Sequence, residues 1–181
     1  MLLNVPNTLT ILRMLLVPGI IFALLRESYG IALGIFLFAG ASDGLDGFIA
    51  RRFDQCTPLG ALLDPLADKL LVVSSALVLG WLGRIPWWLA TTIIGRDLVI
   101  VTGAIAYYKR AGHLEMGPSL LGKLNTFLQI FLILVVLADS AGIIGAVQWL
   151  PMLFFVTLVM ALVSGGHYVA VWSRKVNSRQ A

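Results

Sequence analysis

Charge is what this sequence has least of: only 12% of its 181 residues are Asp, Glu, Lys or Arg, about half the ~25% of soluble domains. Hydrophobic residues make up 59%, against roughly 45–50% in ordinary soluble domains, so a water-soluble fold has nowhere to place the apolar surface. The single cysteine, Cys56, rules out an intrachain disulfide. The two histidines, His113 and His167, are too far apart in the chain to suggest a zinc site. The formal charge of +4 invites a nucleic-acid reading, but the basic residues interrupt hydrophobic stretches and form no basic-aromatic surface. No nucleic-acid partner is expected; anionic lipid headgroups are the natural counter-charges.

What remains is a set of apolar stretches long enough to cross a ~30 Å hydrocarbon core with ~20 residues each. Six spans are expected, at about 8–25, 30–52, 58–82, 86–109, 118–138 and 146–172. The expected fold is an all-α integral membrane protein of six transmembrane helices with a cytoplasm-facing active-site cavity. Residues 1–181 read as one membrane domain, with a short interfacial segment over 1–8 and a polar tail over 173–181. Asn7 or Thr8 is positioned to cap a short interfacial helix, placing Arg13 near the headgroups. No basic region precedes the apolar run Leu9 to Leu25 and no cleavage signal follows it, so the run reads as a retained span.

With an even number of spans, Arg51, Arg52, Lys109, Arg110, Lys123, Arg174, Lys175 and Arg179 fall on one side, leaving Arg26 and Arg84 opposite. The basic side should be the cytoplasm, which puts both termini there, in a bacterial inner membrane. Trp81, Trp87, Trp88 and Trp149 fit anchors at the outer interface and Trp172 at the inner one.

Against this background four aspartates stand out. Asp43, Asp46, Asp64 and Asp68 lie in otherwise apolar segments, where a carboxylate at mid-span costs at least ~2.5 kcal/mol and needs a partner or a function. Asp43 and Asp46 are three residues apart and Asp64 and Asp68 four apart, so each pair shares one helix face. A short turn around Asp54 to Pro58 would make the two spans antiparallel neighbours with converging carboxylates. Such hard oxygen donors suit Mg²⁺ or Mn²⁺. Two other readings are a structural salt-bridge network with Arg51, Arg52 and Lys69, and a carboxylate-based transporter. The small residues Gly40, Ala41, Ser42, Gly44, Gly47, Ala50, Gly60 and Ala61 favour a ligand site, because missing side chains let a ligand approach the backbone.

The full pattern is Asp43-x2-Asp46-Gly47-x2-Ala50-Arg51-x8-Gly60-x3-Asp64-x3-Asp68. It resembles the signature of the CDP-alcohol phosphotransferases at every position. The resemblance implies two divalent cations held by Asp43, Asp46, Asp64 and Asp68, with Asp68 also the base for the acceptor hydroxyl. It implies that Gly44, Gly47, Ala50, Arg51, Thr57 and Gly60 line the site of the CDP-linked lipid. Asn7, Thr10 and Arg13 are similar to the segment that guides the donor diphosphate. A homodimer is also implied.

The shared signature does not name the acceptor, so the second half of the chain decides. Arg96-Asp97 and Gly122-Lys123-Leu124-Asn125-Thr126 bring polar groups toward the cytoplasmic side, with Arg96, Lys123 and Asn125 as acceptor contacts or, alternatively, interfacial anchors. Phosphatidylglycerophosphate synthases typically carry a second lysine where Asn125 stands. A phosphate monoester benefits from that cation, whereas Asn125 offers neutral hydrogen bonds suited to a phosphodiester acceptor. With Ile31 to Gly34, Leu63 to Lys69 and Gln129, the chain more resembles eukaryotic-type cardiolipin synthases. The expected partners are CDP-diacylglycerol, phosphatidylglycerol or glycerol 3-phosphate, and membrane lipids. Asp68→Asn is expected to keep donor binding and to lower turnover by on the order of 10²-fold or more. Near-normal CMP release from that variant would contradict the base assignment.

Overall fold

The computed structural model describes the backbone of residues 5–53, 58–111, 119–145 and 148–177, and the side chains of 12–42, 67–103, 119–145 and 148–171. The described residues form six α-helices and no strand: α1 (Val5–Leu25), α2 (Tyr29–Phe53), α3 (Pro58–Trp81), α4 (Trp87–Ala111), α5 (Leu120–Ser140) and α6 (Leu150–Asn177). Each expected apolar segment coincides with one helix. Two details differ. Helix α1 is already wound at Val5, so Asn7 and Thr8 lie inside it and do not cap it; Pro6 suits this first turn, where its missing N–H has no intrahelical role. Helix α6 runs to Asn177, so part of the expected polar tail is helical.

Helices α5 and α6 are long and apolar enough to cross a membrane, over Leu120–Ser140 and Leu150–Val171. Only 17% of the apolar window of α6 is buried, the reverse of a core helix in a soluble protein. Trp81, Trp87, Trp88 and Trp149 are all exposed at or beside helix ends, as anchors should be. Trp172 lies outside the described side chains, and Cys56 and His113 outside the described residues.

The chain forms two compact units, Met1–Arg84 with Ile133–Val147, and Ile85–Leu132 with Gln148–Ala181. In the first, α1 packs on both α2 and α3. Ala32, Phe36 and Ala39 form the buried stripe of α2, and Ala67, Leu71, Val72, Ala76 and Leu79 that of α3. The alanines let helix backbones approach closely. Ile31, Leu37 and Phe38 on the other side of α2 remain exposed.

Helices α3 and α5 end in the same way. The Arg84 N–H donates to the Leu79 carbonyl and Gly83 to Gly80, while Ile143 donates to Ala138 and Gly142 to Asp139. Gly83 (φ 70°) and Gly142 (φ 73°) supply the left-handed residue that this cap requires. Arg84 then donates from Nε to the Tyr29 hydroxyl at 3.2 Å, a bond that raises its already high pKa.

In the second unit α4 packs against α6. The start of α5 is held by Tyr168 of α6, whose hydroxyl accepts from the Ser119 N–H at 3.1 Å. The fit leaves no room at Gly122, where an added Cβ would lie 2.8 Å from the Tyr168 hydroxyl and 3.3 Å from its ring. Gly122→Ala should therefore destabilise the protein by about 1–3 kcal/mol by overpacking. The loss should shrink in a Tyr168→Phe background; thermal unfolding in detergent checks both, and an equal loss in the two backgrounds would contradict the clash.

Candidate active site

The aspartate motif occupies the C-terminal half of α2 and the N-terminal half of α3. Asp43 and Asp46 lie on α2, Asp64 and Asp68 on α3. The described side chains reach its two edges. On α2, Ser42 is buried and donates to the Phe38 carbonyl at 2.7 Å, which turns the last polar group before the motif back into its own helix. On α3, Asp68 follows the fully buried Ala67. The side chains of Asp43, Gly44, Asp46, Gly47, Ala50, Arg51, Gly60 and Asp64, and of Asn7 and Thr10, lie outside the described residues, as does Thr57. The expected convergence of the four carboxylates falls there too.

Asp68 meets a residue of α1. Arg13 Nη1 donates to Asp68 Oδ1 at 2.6 Å. Arg13 is 1% exposed and the Asp68 side chain 42%. Arg13 is therefore enclosed within the first unit and paired with an acid. The physical reason is that Arg13 is the one charged residue of α1, and a buried cation needs a counter-charge. The structural alternative had paired the aspartates with Arg51, Arg52 and Lys69, and did not foresee a partner on α1. Two residues of the expected site, Arg13 and Asp68, are thus brought together.

The second unit holds the expected acceptor residues. Arg96 and Asp97 on α4 are both more than nine-tenths buried, so neither is an interfacial anchor. Arg96 Nη1 donates to Asp97 Oδ1 at 2.6 Å and Nη2 to the Ser164 hydroxyl at 2.8 Å. Its guanidinium carbon lies 6.0 Å from the centre of the Tyr168 ring. On α5, Lys123 is exposed whereas Asn125 is fully buried; residues two apart on a helix do not share a face. Lys123 and Asn125 therefore do not act as one pair. Gln129, one turn beyond Asn125, is also buried. Among the described residues, both Asn125 amide atoms and Gln129 Nε2 have no hydrogen-bond partner, each a cost of about 1–3 kcal/mol. Sequence reading missed Ser164 and Tyr168 and used Gln129 only as part of a resemblance; a hydroxyl or amide within an apolar helix was the available signal.

The CDP-alcohol phosphatidyltransferase profile matches residues 3–172. The chain belongs to the CDP-alcohol phosphatidyltransferase family. A glycerol-3-phosphate 3-phosphatidyltransferase that uses CDP-diacylglycerol, from Aquifex aeolicus, is 36% identical over 174 residues, covering 92% of this chain and 94% of that protein. The CMP-forming cardiolipin synthase of Streptomyces coelicolor is 34% identical over 151 residues, 80% of this chain and 70% of that one. A Mycobacterium tuberculosis protein provisionally named a cardiolipin synthase is 36% identical over 126 residues, 69% of this chain, and the match spans only 60% of the mycobacterial protein.

For a phosphatidyltransferase of this family the Arg13–Asp68 pair ties the orientation of a motif carboxylate to α1. Arg13→Met should lower turnover on the order of 100-fold through misplacement of Asp68. Arg13→Lys should recover part of that, because it keeps the charge without the planar fork. Steady-state CMP release measures both, and wild-type turnover in the Met variant would leave the pair a purely structural contact.

Proposed function

We propose that the chain is a membrane-embedded cardiolipin synthase, a single phosphatidyltransferase domain that joins CDP-diacylglycerol to phosphatidylglycerol. The observation that carries the catalytic part is the half-exposed Asp68 carboxylate, last residue of the aspartate motif, held at 2.6 Å by a buried arginine. A fixed carboxylate within reach of solvent can accept a proton from an incoming hydroxyl. The hydroxyl oxygen of the acceptor attacks the lipid-side phosphorus of CDP-diacylglycerol, a new P–O bond forms, and the bond to the bridging diphosphate oxygen breaks. The electron pair leaves with CMP and the hydroxyl proton passes to Asp68.

The donor set of Asp43, Asp46, Asp64 and Asp68 consists of hard oxygens and fits Mg²⁺ or Mn²⁺. These residues would hold two such ions, which supply charge stabilisation to the phosphates when bound. Arg13, with Asn7 and Thr10, orients the diphosphate, and Gly44, Gly47, Ala50, Arg51, Thr57 and Gly60 accommodate the nucleotide. The six helices would all span a bacterial inner membrane. The clustering of basic residues supports cytoplasmic termini and a cytoplasmic site, and the family resemblance supports a homodimer.

A second reading is transfer to glycerol 3-phosphate. It is favoured by the Aquifex relative, which is named for transfer to that acceptor and aligns over 94% of its length. Asn125 favours phosphatidylglycerol, because a fully buried neutral amide adds no charge to meet a phosphate monoester. Detergent-purified protein supplied with CDP-diacylglycerol and each acceptor in turn distinguishes the two. CMP release with phosphatidylglycerol, lost in EDTA and restored by Mg²⁺ or Mn²⁺, is expected. Release with glycerol 3-phosphate alone would establish the second reading, and release that persists in EDTA would remove the two-metal mechanism.

A further inference from the structure

Helix α5 carries a polar face whose hydrogen bonds are incomplete among the described residues. Asn125 is fully buried with neither Nδ2 nor Oδ1 partnered, and Gln129, 1% exposed, has an unpartnered Nε2. Buried amides left in this state destabilise a fold, whereas leucines of similar volume would not. Two on one helix, a turn apart, therefore point to a ligand that completes them. Their position is defined. Gly122 precedes Asn125 by one turn on the same buried face, and Gly122 is pressed against Tyr168. Tyr168 is in turn fixed by Ser119 and lies beside Arg96, whose Nε is a further buried N–H with no partner among the described residues. All of these residues belong to the second unit.

We propose that Asn125 and Gln129 recognise the hydroxyl groups of the acceptor's glycerol moiety, and that Gln129 is a specificity-determining residue for the acceptor. An amide carbonyl accepts from a hydroxyl and an amide NH₂ donates to one, so the pair matches a neutral diol. Residues one turn apart have Cβ atoms about 5–6 Å from each other, a separation that two such side chains can bridge through neighbouring hydroxyls. On α5 itself the amides offer hydrogen bonds and no charge, and the lysine of that helix, Lys123, is exposed on a different face. The glycerol moiety is common to phosphatidylglycerol and glycerol 3-phosphate. The inference thus rests on the phosphatidyltransferase reading and holds for either acceptor.

The test uses the full chain in detergent with Gln129→Leu, Gln129→Met and Asn125→Leu. For each, KM is measured for phosphatidylglycerol, for glycerol 3-phosphate and for CDP-diacylglycerol, together with the melting temperature. The acceptor that wild type uses is also compared with its 2-deoxy analogue. The expected result is an acceptor KM raised about 10-fold, as loss of a hydrogen bond to substrate implies, with donor KM unchanged and melting temperature unchanged or higher. The wild-type preference for the acceptor over its 2-deoxy analogue should shrink in the Gln129 variants. Variants that melt higher but keep the wild-type acceptor KM and preference would overturn the proposal and assign the amides to buried water. Gln129→Met keeps the side-chain volume, so a folding defect confined to the leucine variant leaves the test intact. A wild-type protein that releases no CMP with either acceptor would overturn the phosphatidyltransferase reading and this inference together, whereas unchanged variants of an active wild type overturn this inference alone.

Discussion

A guanidinium buried in an apolar helix cluster governs the first unit. Removing Arg13 from water is costly, and the cost is offset only by a well-placed acid. Asp68 supplies it from α3 at 2.6 Å. The contact therefore does two things at once: it sets where α1 lies along α3, and it restricts the carboxylate of a motif residue to one orientation. The surrounding alanines of α2 and α3 allow helices to come close enough for a contact between residues 55 apart in the chain. The charge that makes the packing expensive is also what places Asp68.

The second unit meets the same constraint differently. Arg96 is buried, but its partners are near at hand, Asp97 from the same helix and Ser164 from α6. Tyr168 joins this arrangement to the start of α5 through its hydroxyl, and only glycine fits at position 122 beneath it. The result is a hydrogen-bonded frame, with Arg96 Nε left over, beside amides that lack partners among the described residues. In an apolar interior that contrast matters, because a half-satisfied polar group is worse for stability than a hydrocarbon one.

Much of the architecture was legible before any coordinates. Helix positions follow from runs of apolar residues broken by short polar turns, a local property, and all six segments were recovered to within a few residues. The boundary errors came from local chemistry that composition does not weigh: Pro6 lets α1 start early, and the basic residues after Ser173 continue α6 instead of ending it. The caps built on Gly83 and Gly142 depend on backbone conformation, and went unpredicted. The pairing of Arg13 with Asp68 was not legible, because a cation near the start of a span has two outlets, water or a buried acid, and sequence spacing does not choose between them.

By itself the sequence determined the helical class, the spacing of Asp43, Asp46, Asp64 and Asp68, and membership of a CDP-alcohol phosphatidyltransferase family, since each is written in residues close along the chain. Tertiary structure decided which polar residues are buried and what they meet. Lys123 and Asn125 are two residues apart, yet one is exposed and the other fully enclosed. Arg13 finds its acid, and Gly122 its tyrosine, on helices remote in sequence. Spacing along one helix fixes which side chains share a face, but only the packing of other helices decides which face is covered and by what.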